Sequence, residues 1–446
     1  MSKINAVGEE RLLRQLSVVG VWLLIINGMI GAGIFGLPGE LAKLAGEGSV
    51  WVFLLCALLI APVMLCFAQL SSYFHGTGGP ILYASSAFGP MAGFQVGWLY
   101  YLSRVLSFAA NLNLLITSLG YLWPQAMEES VRIALAFVLC ALMTLINVIG
   151  ARGAVRALGL LTVAKIVPLI ALIGIGLVSL DVAQLFPGIH HAVEIEDLGG
   201  AVFLVIYAFV GFEGGLVPAG EARHPKRDLP RALIAALVVC ALLYTLIQAV
   251  GLTTVPNLAE SSRPLVDVAQ AQLGETGALL MLLGIIASVG GNLLSAMFST
   301  ARITYRMALD GHLPSILGRV HSRFNTPAAS IILYGAASFA FAVTGSFVWL
   351  AALSVLARLI LYSVCISAMP RLQREYGTDP EAMHLPGGLL WMGMALLVCA
   401  ALLLQVDLKS VIVTMACMLV GSLLYFYARF VRSRSLDEGS GHHRPE

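Results

Sequence analysis

Long apolar stretches alternate with short polar segments along almost the whole chain. About 20 apolar helical residues cross the hydrocarbon core of a bilayer, and on that length the sequence predicts about twelve spans. We place them at residues 17–37, 50–72, 89–119, 131–149, 158–179, 199–217, 231–253, 276–308, 327–345, 347–369, 387–406 and 409–430. The link at 344–347 is the weakest of these divisions. The pattern therefore predicts an all-α polytopic membrane protein embedded in a lipid bilayer.

Composition supports lipid as the main solvent of the chain. Hydrophobic residues make up 59% of the 446 residues and charged residues 11%, whereas an ordinary soluble domain carries roughly 25% charged residues. The net charge of +2, without an internal basic run, gives no indication of a nucleic-acid partner. The seven cysteines lie in apolar stretches and form no CxxC or Cys/His cluster, so we expect neither a disulfide framework nor a metal site or cofactor.

The positions of the basic residues predict the orientation of the chain. With the N-terminus inside, eighteen of the 26 Lys and Arg fall in inner segments and four in outer ones. Such a bias is typical of cytoplasmic loops, so both terminal segments, 1–16 and 431–446, are expected to be cytoplasmic. Residues 1–16 also lack the pattern of a removable signal peptide, so the first apolar segment is expected to be retained.

Five ionisable residues lie on or near the predicted spans: Arg104, Lys165, Glu213, Arg302 and Arg358. An ionisable side chain at membrane depth costs at least ~2.5–3.5 kcal/mol, which makes each of them a candidate for function. The alternative for Arg302 and Arg358 is an inert charge pair or a side chain that reaches the interface.

The first and sixth spans both contain helix-breaking residues. Residues 27–39 read NGMIGAGIFGLPG and residues 211–220 read GFEGGLVPAG. Each Gly disfavours a helix by about 1 kcal/mol and each Pro by about 3 kcal/mol. The two interruptions are five spans apart, so if the halves of the chain correspond, they have opposite orientations in the membrane.

Paired interruptions of this kind are typical of a midplane binding site between inverted repeats. Unwound backbone is tolerated at that depth where it lines a cavity. Amides at the start of a half-helix bind a carboxylate, and carbonyls at the end of a half-helix bind an ammonium group. The pattern favours a site for a zwitterion, and the alternative is that Gly and Pro merely allow close helix packing.

Several motifs occur in the order found in one transporter superfamily. They are GAGIFGLPG at 31–39, YAFVGFE at 207–213, EARHPKRDLP at 221–230, RMALDGHLP at 306–314 and NTP at 325–327. Over nearly its whole length the chain resembles the amino acid–polyamine–organocation transporter superfamily.

The resemblance implies a five-plus-five inverted repeat with discontinuous helices 1 and 6. The repeats would occupy 17–179 and 199–369, followed by two further spans at 387–430. It also implies secondary active transport of an amino acid by alternating access, in a bacterial inner membrane. A polyamine or organocation transporter and a non-transporting amino-acid sensor are the alternatives. Motifs typical of an enzyme are absent from the sequence.

The resemblance also places the substrate at the two interruptions. The residues concerned are Met29, Ile30, Gly31, Ala32, Gly33, Ile34, Tyr207, Ala208, Phe209, Val210 and Gly211. Backbone around Ala32 and Gly33 should hold the substrate carboxylate. Carbonyls near Met29, Tyr207 and Val210 should hold the amine. Tyr207 matches the aromatic gate of the family, and a packed core tyrosine is the alternative.

Two charged residues resemble the coupling elements of the family. Lys165 matches a fifth-span lysine whose ammonium replaces a sodium ion and ties the fifth span to the broken first. Transport is then expected to be independent of sodium, with proton-coupled symport and exchange both open. Glu213 matches an acidic position that stabilises the unwound segment or senses pH, and the sequence leaves both roles open.

Side-chain selectivity is expected to depend on Arg104 and Phe108, which lie one helical turn apart in the third span. Arg104 recognises an acidic side chain, pairs with Glu213, or anchors helix packing, and the sequence leaves these alternatives open. The loop 121–130 contains no cysteine, so we expect no disulfide-linked accessory subunit.

Overall fold

The computed structural model describes residues 17–74, 78–150, 154–178, 195–217, 222–377, 379–380 and 382–440. Within helices, the side chains of 154–164, 195–197 and 433–440 are outside this description. The predicted cytoplasmic segment 1–16, the end of the predicted tail at 441–446, and Pro218 of the second interruption also lie outside the described residues.

The described part of the chain is helical, with fifteen α-helices in sequence order. They are α1 (Val18–Met29), α2 (Ala32–Ala45), α3 (Ser49–Ser72), α4 (Pro80–Phe88), α5 (Pro90–Leu119), α6 (Glu129–Ile149), α7 (Ala154–Val178), α8 (Ile195–Phe209), α9 (Pro225–Thr254), α10 (Pro264–Leu309), α11 (Ala328–Thr344), α12 (Phe347–Ser367), α13 (Met369–Tyr376), α14 (Gly388–Leu403) and α15 (Leu408–Ser440). Short 3-10 helices lie at Gly46–Gly48, Pro124–Met127, Phe212–Gly215, Leu258–Glu260 and Ser315–Gly318.

Each predicted span falls on helical structure, but the first, 17–37, covers α1 and the beginning of α2, and several other bounds differ. α10 begins twelve residues before the predicted span and bends at Gly274, whose φ of 64° is left-handed. The weakest predicted division is present, because α11 and α12 are separate helices and Ser346 caps α12 by accepting from the Trp349 amide at 3.3 Å.

The length and number of the apolar helices indicate a multi-span membrane protein. Eight helical stretches of the described residues are long and apolar enough to cross a bilayer. Four apolar helices are shorter, namely Val18–Met29, Lys165–Val178, Ala328–Thr344 and Gly388–Leu403. The division into twelve spans and two inverted repeats remains a prediction.

α5 lies at the centre of the helix assembly. It packs against α4, α10, α11 and α12, and 83% of its most apolar segment is buried, against 22% for α6 and for α15. α6 and α15 therefore expose most of their apolar surface, as expected for contact with lipid. All seven cysteines are free thiols, six of them buried and Cys417 half-buried.

Candidate functional site at two helix breaks

The first predicted interruption is a break between α1 and α2. α1 ends at Met29, Ile30 leaves the helical region with ψ 85°, and Gly31 is extended with φ −118° and ψ −150°. Gly31 supplies no side-chain cap to α2. The first amides of α2, beginning at Ala32, therefore lack helical partners and are oriented into the break.

The second interruption follows α8. The helix ends at Phe209. Gly211 adopts a left-handed φ of 104°, a conformation that is strained for a residue with a side chain. The chain continues as the 3-10 helix Phe212–Gly215. The Gly211 amide donates to Oε2 of Glu213 at 2.9 Å, so this carboxylate stabilises the turn that ends α8.

The two breaks touch each other through their backbones. A Cβ atom on Gly28 would lie 2.4 Å from the Gly211 carbonyl oxygen, and one on Gly211 would lie 2.3 Å from the Gly28 carbonyl oxygen. A Cβ on Gly33 would lie 2.9 Å from Cα of Ala208. Glycine is therefore required at these positions for the close approach, and the predicted site residues of both segments are brought together.

The carbonyl end of α1 is held by side chains from two other helices. Lys165 of α7, which is 1% exposed, donates from Nζ to the carbonyl oxygens of Ile30 at 2.8 Å and Asn27 at 3.2 Å. A cation is favourable there because the carbonyl end of a helix carries partial negative charge. The carbonyl of Met29, predicted to bind an amine, accepts from the Tyr244 hydroxyl at 3.1 Å.

A chain of uncharged polar side chains joins α8 to α1. The Tyr207 hydroxyl donates to Oδ1 of Asn111 at 2.9 Å, and Nδ2 of Asn111 donates to Oδ1 of Asn292 at 3.3 Å. Nδ2 of Asn292 in turn donates to the Asn27 carbonyl at 3.2 Å. A Cβ on Gly31 would lie 3.8 to 3.9 Å from the two asparagine amides, so these groups face the first break.

Asn111 and Asn292 were not predicted as site residues, because buried amide side chains within the spans were not weighed beside the ionisable ones. A signal was present for Asn111, since it lies seven positions after Arg104 and three after Phe108, on the same face of α5. For Asn292 the signal was an amide side chain within the apolar eighth span.

Glu213 and Arg358 form a buried ion pair beside the second break. Nε of Arg358 lies 2.7 Å from Oε1 of Glu213, and the side chains are 1% and 0% exposed. Oε2 of Glu213 accepts from the Tyr362 hydroxyl at 2.8 Å as well as from Gly211. Arg358 also donates to the Ser107 hydroxyl at 3.2 Å. These contacts join the segment after α8 to α12 and α5, and they support stabilisation of the unwound segment as the role of Glu213.

Arg104 is not the partner of Glu213, because Arg358 occupies that position. Arg104 is half-buried, its buried Nε lacks a hydrogen-bond partner, and its carbonyl accepts from the Tyr334 hydroxyl at 2.9 Å. The Phe108 ring is buried and meets the Tyr334 ring edge-on at 5.6 Å. Phe108 therefore packs in the core, and the buried Nε of Arg104 is left without a partner. The role of the two residues in side-chain selectivity stays a prediction.

Arg302 makes its contacts within its own helix. Its guanidinium lies 3.4 Å from the centroid of the Phe298 ring, one turn earlier in α10, and donates to the Phe298 carbonyl. Local anchoring of α10 is the role that these contacts support.

The α2 side of the first break is closely packed. A Cβ on Gly36 would lie 2.8 Å from the Phe347 ring, and one on Gly39 would lie 2.6 Å from the Ser261 carbonyl oxygen. The Tyr207 ring meets the Phe347 ring edge-on at 6.0 Å. α2, α8 and the start of α12 are therefore in contact along this side.

Comparison with known proteins agrees with the resemblance seen in the sequence. The family model described as amino acid permease matches residues 16–431. The branched-chain amino acid permease BcaP of Bacillus subtilis is 26% identical over 452 residues, covering 95% of this chain and 94% of its own length. The chloroplastic cationic amino acid transporter 9 of Arabidopsis thaliana is 29% identical over 339 residues, covering 71% of this chain and 59% of its own length. An uncharacterized transporter of Mycobacterium tuberculosis is 26% identical over 444 residues, with 97% of each chain covered.

Proposed function

The chain belongs to the amino acid permease family, and we propose that it moves an amino acid across the cell membrane by alternating access around the two helix breaks. The observation that most supports this proposal is the backbone contact between the breaks at Gly28 and Gly211. Together with the approach of Gly33 in α2 to Ala208 in α8, this contact brings the first amides of α2 beside the terminal carbonyls of α8, which suits both charged groups of an amino acid.

Each charged group of the substrate has a proposed position. The carboxylate binds the first amides of α2, near Gly31 and Ala32, with the amide groups of Asn111 and Asn292 beside it. The ammonium binds the terminal carbonyls of α8 near Val210, because the Met29 and Ile30 carbonyls at the end of α1 already accept from Tyr244 and Lys165.

We infer that both sides of the breaks rely on close packing. A Cβ on Gly36 would lie 2.8 Å from the Phe347 ring on the α2 side, and one on Gly215 would lie 2.4 Å from Cγ1 of Ile25 on the α1 side. Alternating access is proposed to separate α2 from Phe347 and Ser261 in one state, and α1 from Gly215 in the other.

Transport is proposed to be independent of sodium and to occur as proton-coupled symport or exchange. Support comes from the Lys165 ammonium, which occupies the carbonyl oxygens that a bound metal cation would need. The proposed setting is a bacterial inner membrane with both termini in the cytoplasm, which the distribution of Lys and Arg supports.

A polyamine is less well supported as the substrate. Several carboxylates around the site would be needed to bind a polycation, and Glu213 is already paired with Arg358. Among the other described acidic residues, Asp228 is also buried. It lies in the first turn of α9 and belongs to neither break segment.

Uptake of radiolabelled amino acids into proteoliposomes tests the proposal. Acidic, neutral and basic amino acids are compared with and without a proton gradient, a sodium gradient, or unlabelled amino acid inside. Uptake driven by the proton gradient identifies a symporter, and uptake that requires internal amino acid identifies an exchanger. Specific binding without uptake would indicate a sensor. Absence of both binding and uptake, from protein shown to be folded, would overturn the assigned substrate class.

A further inference from the structure

An open groove surrounds the short helix α13, between the end of α12 and the start of α14. It has two parts, of about 580 and 530 Å³, which share Pro370 and Arg374. The first part is also lined by Ser367, Arg371 and Glu375, and the second by Gln373 and the stretch 387–390. The groove lies outside the site at the helix breaks.

The groove carries two exposed arginines on one helical face. Arg371 and Arg374 are three residues apart in α13, so their side chains emerge next to each other. Neither takes part in an ion pair within the described part of the chain. Glu375 also lines the groove, which leaves a net positive charge there. Two neighbouring guanidinium groups suit a phosphate, which accepts several hydrogen bonds from their planar donors.

The depth of the groove corresponds to the membrane–water interface. Exposed arginines are strongly disfavoured within hydrocarbon, so α13 lies at the surface, whereas the apolar α14 begins directly after the groove. Trp391, in the first turn of α14, donates from Nε1 to the Pro386 carbonyl at 3.1 Å, and tryptophan is typical of the interfacial layer. By the distribution of Lys and Arg, this is the predicted inner face.

An apolar stripe leads from the groove along α14. Leu389 and Leu390 are 69% and 67% exposed, and Met394 and Leu397 are also exposed. Residues 390, 394 and 397 follow helical spacing, so their side chains form one continuous track toward the bilayer interior. The groove therefore combines a site for a phosphate with a path for a hydrocarbon chain.

We propose that this groove binds a diacyl phospholipid with an anionic headgroup. The phosphate lies between Arg371 and Arg374, and one acyl chain runs along Leu390, Met394 and Leu397. Basic pockets on the cytoplasmic side of membrane proteins attract anionic headgroups. The proposal is independent of the transported substrate, since it uses none of the residues at the helix breaks.

Lipid titration of the purified full-length chain, followed by native mass spectrometry, tests this site. Dioleoyl phosphatidylglycerol is compared with dioleoyl phosphatidylcholine and with inorganic phosphate alone. We expect phosphatidylglycerol to bind more tightly than phosphatidylcholine, and phosphate alone not to compete with it. Equal affinity for the two lipids would overturn the proposal. Full competition by phosphate would show a phosphate site rather than a lipid site, and would overturn it as well.

A double variant tests the two arginines. Arg371→Gln with Arg374→Gln should weaken phosphatidylglycerol binding about 25-fold, from roughly fivefold per arginine at an anionic headgroup. Phosphatidylcholine, whose phosphate is balanced by its own choline cation, should lose less, so the preference for phosphatidylglycerol should shrink. The matched control, Arg319→Gln with Arg323→Gln, removes the same charge from exposed positions outside the groove and should bind like the wild type. An equal loss in both double variants would contradict the site. If the first variant does not fold, the wild-type lipid comparison still decides the proposal.

Discussion

Several polar side chains around the two breaks are buried inside an apolar helix bundle. Each is stabilised there by its hydrogen-bonding partners. Lys165 is the clearest case, because its ammonium contacts two carbonyl oxygens at the end of α1. An unpaired carbonyl at this depth costs several kcal/mol in lipid, so the lysine stabilises the break and is at the same time the candidate for coupling.

Replacing Lys165 by Ala tests both roles of the side chain. We expect Lys165→Ala to lose coupled uptake in proteoliposomes, and the lost hydrogen bonds should lower the free energy of unfolding by about 1–3 kcal/mol. Lys43→Ala serves as the control, since Lys43 is exposed at the end of α2. Uptake by Lys165→Ala that still responds to pH would show that Lys165 does not carry the coupling.

The charged side chains near the breaks were predictable from the sequence, whereas the two buried asparagines beside them were not. Lys165 and Glu213 were identifiable because a charge in an apolar span is costly and rare. Asn111 and Asn292 gave a weaker signal, since an amide costs less to bury than a charge. The pairing of Glu213 with Arg358 rather than Arg104 was not predictable either, because it depends on how α12 packs beside α8.

The buried ion pair of Glu213 and Arg358 joins two helical elements at the second break. The pair links the end of α8 to α12, and Tyr362 and Gly211 complete the hydrogen bonds of the carboxylate. Replacing both charges of a buried ion pair together costs the protein little stability. Removing only one partner leaves the other charge buried and uncompensated.

A double-mutant cycle measures this link between elements. Glu213→Gln and Arg358→Met should each lower the free energy of unfolding, measured by titration with a denaturing detergent, by about 3–5 kcal/mol. The double variant should lose less than the sum of the two. The exposed pair Arg306 and Asp310 provides the control, with a coupling of about 0–1 kcal/mol. Additive losses at Glu213 and Arg358 would contradict the account of this pair.

The positions of the helices were largely predictable, whereas their ends were not. Apolar length locates a helix because a bilayer span requires it, and clustered Gly and Pro located both breaks. Ends depend on local geometry and packing instead. α2 continues to Ala45 beyond the predicted span and stops at Gly46, whose φ is 51°. α10 begins earlier because a further helical segment, which starts at Pro264, precedes the bend at Gly274.

The whole molecule is expected to have a fixed orientation in the membrane. A cysteine at Leu122, in the exposed 121–130 loop, should react with a membrane-impermeant maleimide added to intact cells. A cysteine at Ile316, exposed between α10 and α11, should react only after the cells are permeabilised. The native thiols give little background because six are buried, and Cys417→Ser removes the half-buried one. Labelling of both sites in intact cells would contradict the predicted topology.

Transport is proposed to depend on the contact between the two helix breaks, and uptake by glycine variants measures this dependence. Gly211→Ala places a Cβ against the Gly28 carbonyl and strains a left-handed residue, whereas Gly174→Ala adds a Cβ in open space. Labelled amino acid uptake is measured for both variants and the wild type, in proteoliposomes with equal amounts of folded protein. We expect Gly211→Ala to lose uptake, whereas Gly174→Ala should match the wild type. Wild-type uptake by folded Gly211→Ala would show that transport does not depend on this contact.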